Sequence, residues 1–359
     1  TRPGGDMPEL LLAVNTPVVV VSFSLYTLAI VAIGLYSARY ARRSNEDYFL
    51  AGRSLSGWVA ALSASASSES GWVTLGLVGM AYNTGIGALW IVLGTFVAFL
   101  FNWFILAWRL RTTAAEYDAL TIPDVLASPY QGLAQTLIPC AGVLIILAML
   151  VAYVAAQLNA AGKTFEGVFG WNYSLGVLVG AGIVVVYTVT GGFRAVAWTD
   201  VVQASFMLII VVVLPIMLIA KVGGPSSFWQ ALSDDAVNPN LTDPFAGKAG
   251  LALVGFIALW LGIPLGNPGQ PHVLVRLMAI RDKSAVNRGG VISSLWVLVL
   301  FSGAVLLGMS ARVYFGNGLE DPEKTLMAVA RDSSIVPGFI GGMIVAAVLA
   351  ANCSTADSQ

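Results

Sequence analysis

Charge is scarce in this chain. Only 10% of its 359 residues are Asp, Glu, Lys or Arg, whereas a soluble domain carries roughly 25%. A soluble protein of this length needs far more polar groups to cover its surface. One histidine, His272, leaves no histidine cluster for metal binding and little room for histidine-based catalysis. The two cysteines, Cys140 and Cys353, both lie in apolar stretches, which argues against a disulfide framework or a zinc site. A formal net charge of −1 gives no basic face for nucleic acid.

What the chain has in abundance is apolar surface. Hydrophobic residues make up 57% of it, and the mean hydropathy is +0.82. These values indicate an all-α polytopic membrane protein, because a lipid-exposed backbone must satisfy its hydrogen bonds within each segment. A spanning helix needs about 20 mostly apolar residues. Nine stretches qualify, the fifth of them short: Pro17–Tyr36, Trp58–Ala81, Ala88–Trp108, Leu137–Ala160, Leu175–Val189, Val201–Ala220, Leu251–Pro271, Gly290–Met309 and Val336–Asn352. The first run is too long for a cleavable signal peptide and leads into a basic loop. The opening TRPGGDMPELL reads as a run-in upstream of Met7, and the end at AANCSTADSQ as a cut at or inside a helix. The expectation is a single transmembrane domain over residues 1–359, truncated at its C-terminus.

Lys and Arg set orientation, because cytoplasmic loops are enriched in them. With the N-terminus outside, Arg39, Arg42, Arg43, Arg53, Arg109, Arg111, Arg194, Arg276, Arg281, Lys283 and Arg288 fall in the cytoplasm, 11 of the 18 basic residues. The loops around Asp234, Asp235, Glu320, Asp321 and Glu323 then lie outside. In a cell this predicts a multi-pass protein of the inner (plasma) membrane.

Two segments are not plain Val/Leu/Ile/Ala runs. The second contains SASASSESGW, Ser63 to Trp72: serine-rich, with a glutamate and a glycine at membrane depth. The seventh ends in GIPLGNPGQPH, Gly262 to His272, rich in proline and glycine. Proline removes a backbone donor and clashes with the preceding turn, and glycine weakens a helix by about 1 kcal/mol against alanine. Both stretches should unwind or bend. Gly and Pro are common in membrane helices, so each could be an ordinary kink. The spacing says more. Segments two and seven are five apart, so equivalent units would enter the membrane from opposite sides. Interrupted helices at matching places in two inverted halves mark the binding site of a secondary transporter.

At these residues the chain resembles the solute:sodium symporter family, nearest to its sodium/proline symporter branch. The motif YTVTGGFRAVAWTDVVQ (Tyr187–Gln203) carries the resemblance most closely. DYFLAGRSL (Asp47–Leu55), the SxSxxSGW core (Ser65–Trp72), GQPHVLVRLMA (Gly269–Ala279) and the Ser354–Thr355 pair also match, in the family's order. The resemblance implies a leucine-transporter-like core of two inverted five-helix repeats preceded by one extra helix. Segments two to six would form the first repeat and seven to nine the start of the second. It implies sodium-driven symport of a small solute, most naturally proline or another amino acid, by alternating access.

The resemblance also implies roles for particular residues. Sodium, the co-transported ion, would sit between segments two and nine. Its ligands would be the carbonyls of Ala66, Glu69 and Ala351 and the hydroxyls of Ser354 and Thr355. Without the family, those two hydroxyls could equally bond back to their own helix. The substrate would be lined by Ser70, Gly71, Tyr153, Gln157, Ile263, Asn267 and Pro271. Asp200 would assist sodium release toward the cytoplasm, or simply cap the sixth segment. Arg53 would stand at the cytoplasmic mouth, which positive-inside topology alone also explains. For His272 a structural role is the simpler reading.

Two departures from the branch stand out. Its members carry an aspartate where this chain has Ser68 and an apolar residue where it has Glu69. The carboxylate is shifted by one position, or ~100° around a helix. A carboxylate at membrane depth is a functional hypothesis by default. Glu69 could add charge to the cation site, bind a substrate amine, take a proton and make coupling proton-linked, or accept an interior hydrogen bond from a neighbouring hydroxyl. The branch also has aromatic residues where this chain has Ile263 and Asn267, which changes the pocket's shape and stacking surface. Outside the carrier class, a symporter-like membrane domain of a sensor histidine kinase is the alternative. An intramembrane enzyme lacks a nucleophile–base pair. The sequence is silent on oligomeric state.

Overall fold

The computed structural model describes residues 16–359; the reading of the residues around Met7 lies outside them. The described chain is helical. In order, its helices are α1 (Thr16–Ala41), α2 (Asn45–Leu50), α3 (Gly57–Ser68), α4 (Val78–Thr84), α5 (Trp90–Leu100), α6 (Ala107–Glu116), α7 (Ile122–Ala127), α8 (Leu133–Phe169), α9 (Tyr173–Lys221), α10 (Pro225–Ser233), α11 (Gly250–Leu265), α12 (Pro271–Met278), α13 (Lys283–Phe315), α14 (Thr325–Arg331) and α15 (Gly338–Ser358). By length and composition, six stretches among the described residues are apolar enough to cross a bilayer: Trp72–Glu116, Leu133–Glu166, Thr188–Lys221, Gly250–Gly269, Lys283–Phe315 and Gly338–Ser358. The expected fifth span corresponds to a shorter apolar helix, Tyr173–Val186.

Polarity is distributed for a bilayer rather than for water. Large apolar side chains face outward, among them Leu144, Leu178 and Leu251, the last 87% exposed. Charged groups sit inside: Glu69, Asp200 and Arg276 are each fully buried. In lipid the exposed apolar belt costs nothing, and interior charges are tolerable only when they face partners or a cavity.

α9 contains two expected spans. At 49 residues a straight helix would reach about 74 Å, more than twice the roughly 30 Å hydrocarbon core. Gly192 interrupts it, with φ 59° and ψ −164°. That backbone position favours glycine. The chain folds back there: Ile183 and Val202, on either side of the break, pack into one cluster with Tyr26 and Ile30 of α1. The Gly-Gly-Phe motif is therefore a tight reversal between two spans.

The two suspected breaks are real. α3 ends at Ser68, and Glu69 leaves helical geometry with φ −99° and ψ 72°. The helix resumes through a π-helical turn, Trp72–Leu77, into α4. Farther along, α11 ends at Leu265, a 3-10 turn spans Asn267–Gly269, and α12 restarts with Pro271 in its first turn. Proline fits there because the first helical N–H has no intrahelical acceptor.

The ends of the bundle differ in chemistry. At one, Arg53 donates to the carbonyls of Ala114 and Ala119, Arg111 to that of Ile280, and Arg194 to that of Ala51. At the other, Asp235 grips Arg312 through two N–H bonds of 2.8 and 2.9 Å. That clamp holds the Asp235 carboxyl below its usual range, at about 2. Between the ends, α13 packs on α3, α4, α5 and α9, and α15 on α1, α8 and α9.

Candidate functional site

The first break and α15 meet at the atoms expected to hold a cation. Ala66, Glu69, Ala351, Ser354 and Thr355 are all fully buried. Ser354 Oγ donates to the Ala66 carbonyl oxygen at 3.1 Å, so segment two and segment nine touch through oxygens. Thr355 Oγ1 is buried with no hydrogen-bond partner. An orphaned hydroxyl inside a protein is costly, roughly 1–3 kcal/mol, and a hard cation between these oxygens satisfies it. The donor set fits: oxygens only, from carbonyls and hydroxyls, at an unwound stretch of backbone.

Beside this cluster lies a cavity of about 560 Å³. Ser70, Gly71, Tyr153, Gln157, Ile263 and Asn267, all expected substrate residues, line it. Pro271, the seventh, is not in its wall; it starts α12 just beyond. Thr95, Gln270 and Phe301 line the cavity as well. At the break, the Gly71 N–H faces Gln157 Oε1 at 3.4 Å. A Cβ on Gly71 would lie 2.1 Å from Asn352 Oδ1, so a side chain there requires the buried Asn352 amide to move. Asn352 is buried with both side-chain polar atoms unpartnered. It was missed in the sequence, because one asparagine in an apolar run carries no spacing signal.

The cavity reaches Glu323 toward the end that bears the Asp235–Arg312 clamp. Toward the basic end, a polar network joins the segments that flank it. Asp200 Oδ2 accepts from Ser63 at 2.6 Å, Ser67 at 3.2 Å and Arg276 at 2.9 Å. Arg276 also donates to Ser63 at 2.9 Å, to Ser358 at 2.6 Å and to the His272 carbonyl. Four segments are tied here: α3, α9, α12 and α15. Asp200 is not a helix cap, because its helix starts just after Gly192 and its side chain serves Arg276 instead. Arg276 was read only as a basic loop residue; its family motif gave position without partner. Arg53 is buried, pairs with Glu46 at 2.7 Å, and fastens the α2 turn to α6.

Glu69 turns away from the cavity. Its carboxylate accepts the Trp296 indole N–H of α13 at 3.1 Å, and its other oxygen is buried without a partner. The expected interior bond from a neighbouring hydroxyl is replaced by one from the Trp296 indole, because the break turns this side chain toward α13. The His272 ring packs edge-on to Tyr153, 6.3 Å between centroids.

A model of the sodium:solute symporter family matches residues 48–359. The chain belongs to the sodium:solute symporter family. Its relatives include the osmoregulated proline transporter OpuE of Bacillus subtilis, 35% identical over 345 residues, covering 95% of this chain and 68% of OpuE. The sodium/proline symporter of Salmonella typhimurium is 34% identical over 357 residues, covering 97% of this chain and 69% of that protein. The sodium/proline symporter of Staphylococcus aureus is 35% identical over 343 residues, 94% of this chain and 65% of that one. This symporter chain thus spans about two thirds of the length of its curated relatives. Among solved structures, a Na+-coupled sialic acid symporter in a substrate-bound outward-open state matches with a TM-score of 0.78 and 18% identity. That match covers 95% of this chain and 70% of the other, and it carries the leucine-transporter-like fold. The family's members are carriers, which leaves the enzyme reading without support.

Proposed function

We propose that this chain forms the sodium- and substrate-binding part of a sodium-coupled proline symporter working by alternating access. The observation that carries the reading is the oxygen cluster at the first helix break: the Ala66 carbonyl, the Ser354 hydroxyl and the unpartnered Thr355 hydroxyl, directly beside the cavity. Sodium binding there draws α3 and α15 together. That fixes the Ser70–Gly71 turn, where a substrate carboxylate can take the Gly71 N–H from its long 3.4 Å contact with Gln157. Gln157 and Tyr153 stand against the same turn and complete that wall. Because coupling free energies are reciprocal, substrate tightens sodium as much as sodium tightens substrate.

The basic end is assigned to the cytoplasm by its arginines, which puts the N-terminus outside and opens the cavity outward. The Asp200–Arg276 network then acts as the inner gate, to be broken before sodium and substrate leave. The first inverted repeat runs from α3 through α9, and the second begins at α11; together they form one transmembrane domain. Glu69 contributes its carbonyl, and its carboxylate braces the break against α13.

The test is uptake of labelled proline in cells lacking their own proline carriers, with sodium and then with choline in its place at a fixed pH gradient. Sodium-dependent uptake supports the proposal. Uptake that survives in choline contradicts it.

A further inference from the structure

The cavity wall away from the Ser70–Gly71 turn is polar where a proline pocket has nothing to bond. Asn267 sits in the 3-10 turn of the second break and is 7% exposed. Its Oδ1 accepts from Asn102 Nδ2 at 2.7 Å. Asn102 is 2% exposed and lies in a π-helical turn, Phe101–Leu106, that carries segment three past the break. Such single π turns recur at functional sites because they re-aim one side chain. Two primary amides have two donor groups and two acceptors, and their mutual bond uses one of each. Whichever way the amides are oriented, one NH2 group and one carbonyl remain. Asn102 Oδ1 is buried with no partner. Asn267 faces the cavity beside Thr95 and Gln270, and Gln270 Oε1 is likewise buried without a partner.

Asn102 lies behind Asn267, whereas Asn267, Thr95 and Gln270 line the cavity; three polar side chains grouped on one cavity wall point to a ligand with a polar group to meet them. The pyrrolidine ring of proline offers only C–H groups beyond its amine. A ring hydroxyl offers one donor and two acceptor lone pairs. That matches the Asn267 amide, the Thr95 hydroxyl and the Gln270 side chain on the cavity wall.

We propose that Asn267, Thr95 and Gln270 form a second polar subsite, with Asn102 as the residue that positions Asn267. The subsite makes a ring-hydroxylated proline the preferred substrate over proline itself. This rests on the reading of the chain as a sodium-coupled carrier of proline-like amino acids. A site built to bond a hydroxyl discriminates against the analogue that lacks it, since its own groups are then left unpaired.

The experiment is competition for sodium-dependent labelled-proline uptake by the cis and trans isomers of 3- and 4-hydroxy-L-proline, using the full-length protein. At least one isomer is expected to inhibit with a constant roughly tenfold below that of unlabelled proline. In Asn267→Leu the ratio of the hydroxyproline and proline inhibition constants should fall to parity or reverse. Asn102→Leu should weaken the same preference without changing the concentration of sodium giving half-maximal uptake. If proline outcompetes every isomer in the parent protein, or if Asn267→Leu leaves the preference unchanged, the subsite is wrong and the carrier reading stands. If neither proline nor any labelled hydroxyproline is taken up with sodium, the carrier reading fails and the subsite with it.

Discussion

Asp200 and Arg276 form a fully buried ion pair, 2.9 Å between Oδ2 and the guanidinium. Seventy-six residues separate them, and the pair joins the span after the Gly192 reversal to the half-helix after the second break. Removing one partner strands a charge inside the bundle, at a cost of about 3–5 kcal/mol. Arg276→Leu should therefore lower the melting temperature in detergent and abolish uptake. The double variant Asp200→Leu/Arg276→Leu should recover stability but not coupled transport. Melting curves with uptake on the same preparations separate the two effects.

Gly71 has room for a side chain only if Asn352 gives way. Its added Cβ would meet Asn352 Oδ1 at 2.1 Å, and overpacking of this kind costs about 1–3 kcal/mol. Gly71→Ala should eliminate uptake with the protein still in the membrane. Combining it with Asn352→Ala removes the clash and should restore part of the activity. No recovery in the double variant would show that Gly71 is needed for backbone contact with substrate rather than for space.

The Glu69 carboxylate meets Trp296 of α13 and not the cavity. Glu69→Gln keeps an acceptor for the indole N–H and should leave sodium-dependent uptake within about twofold, ~0.4 kcal/mol. A pH gradient without sodium should drive no uptake in either protein. Proton-driven uptake lost in Glu69→Gln would move the coupling role to this carboxylate.

Asp235 gives a pH prediction outside the membrane. Its folded value of about 2 lies below the usual carboxylate value, chiefly through the Arg312 bonds. A depressed folded value means that the unfolded chain binds the proton first. The clamp's contribution is thus complete above the unfolded value near 4 and is lost as pH falls from there through about 2. Melting temperature should not respond to this group between pH 5 and 8. Asp235→Asn should lower it across that range.

Much of this arrangement was legible in the residues themselves. The SASASSESGW and GIPLGNPGQPH stretches marked both breaks, because proline, glycine and clustered serine weaken a helix locally. The Ser354–Thr355 pair and the Gly-Gly-Phe reversal came with the family's motifs. Three features were hidden. Arg276 pairs with Asp200 through tertiary packing, which no local spacing encodes. Asn352 and Asn102 are single amides inside apolar runs, and only the partners they face give them meaning. The direction of Glu69 depended on how the chain unwinds at Ser68, since a one-residue change in the break swings a side chain from cavity to neighbouring helix.

The central claim is that sodium is held by the hydroxyls of Ser354 and Thr355 at the first break. Its most direct test is the sodium dependence of proline uptake in Ser354→Ala/Thr355→Ala, beside the parent protein at equal membrane abundance. The account predicts a rise of at least about tenfold in the sodium concentration for half-maximal uptake, ~1.4 kcal/mol or more. Unchanged sodium affinity in the double variant would contradict it.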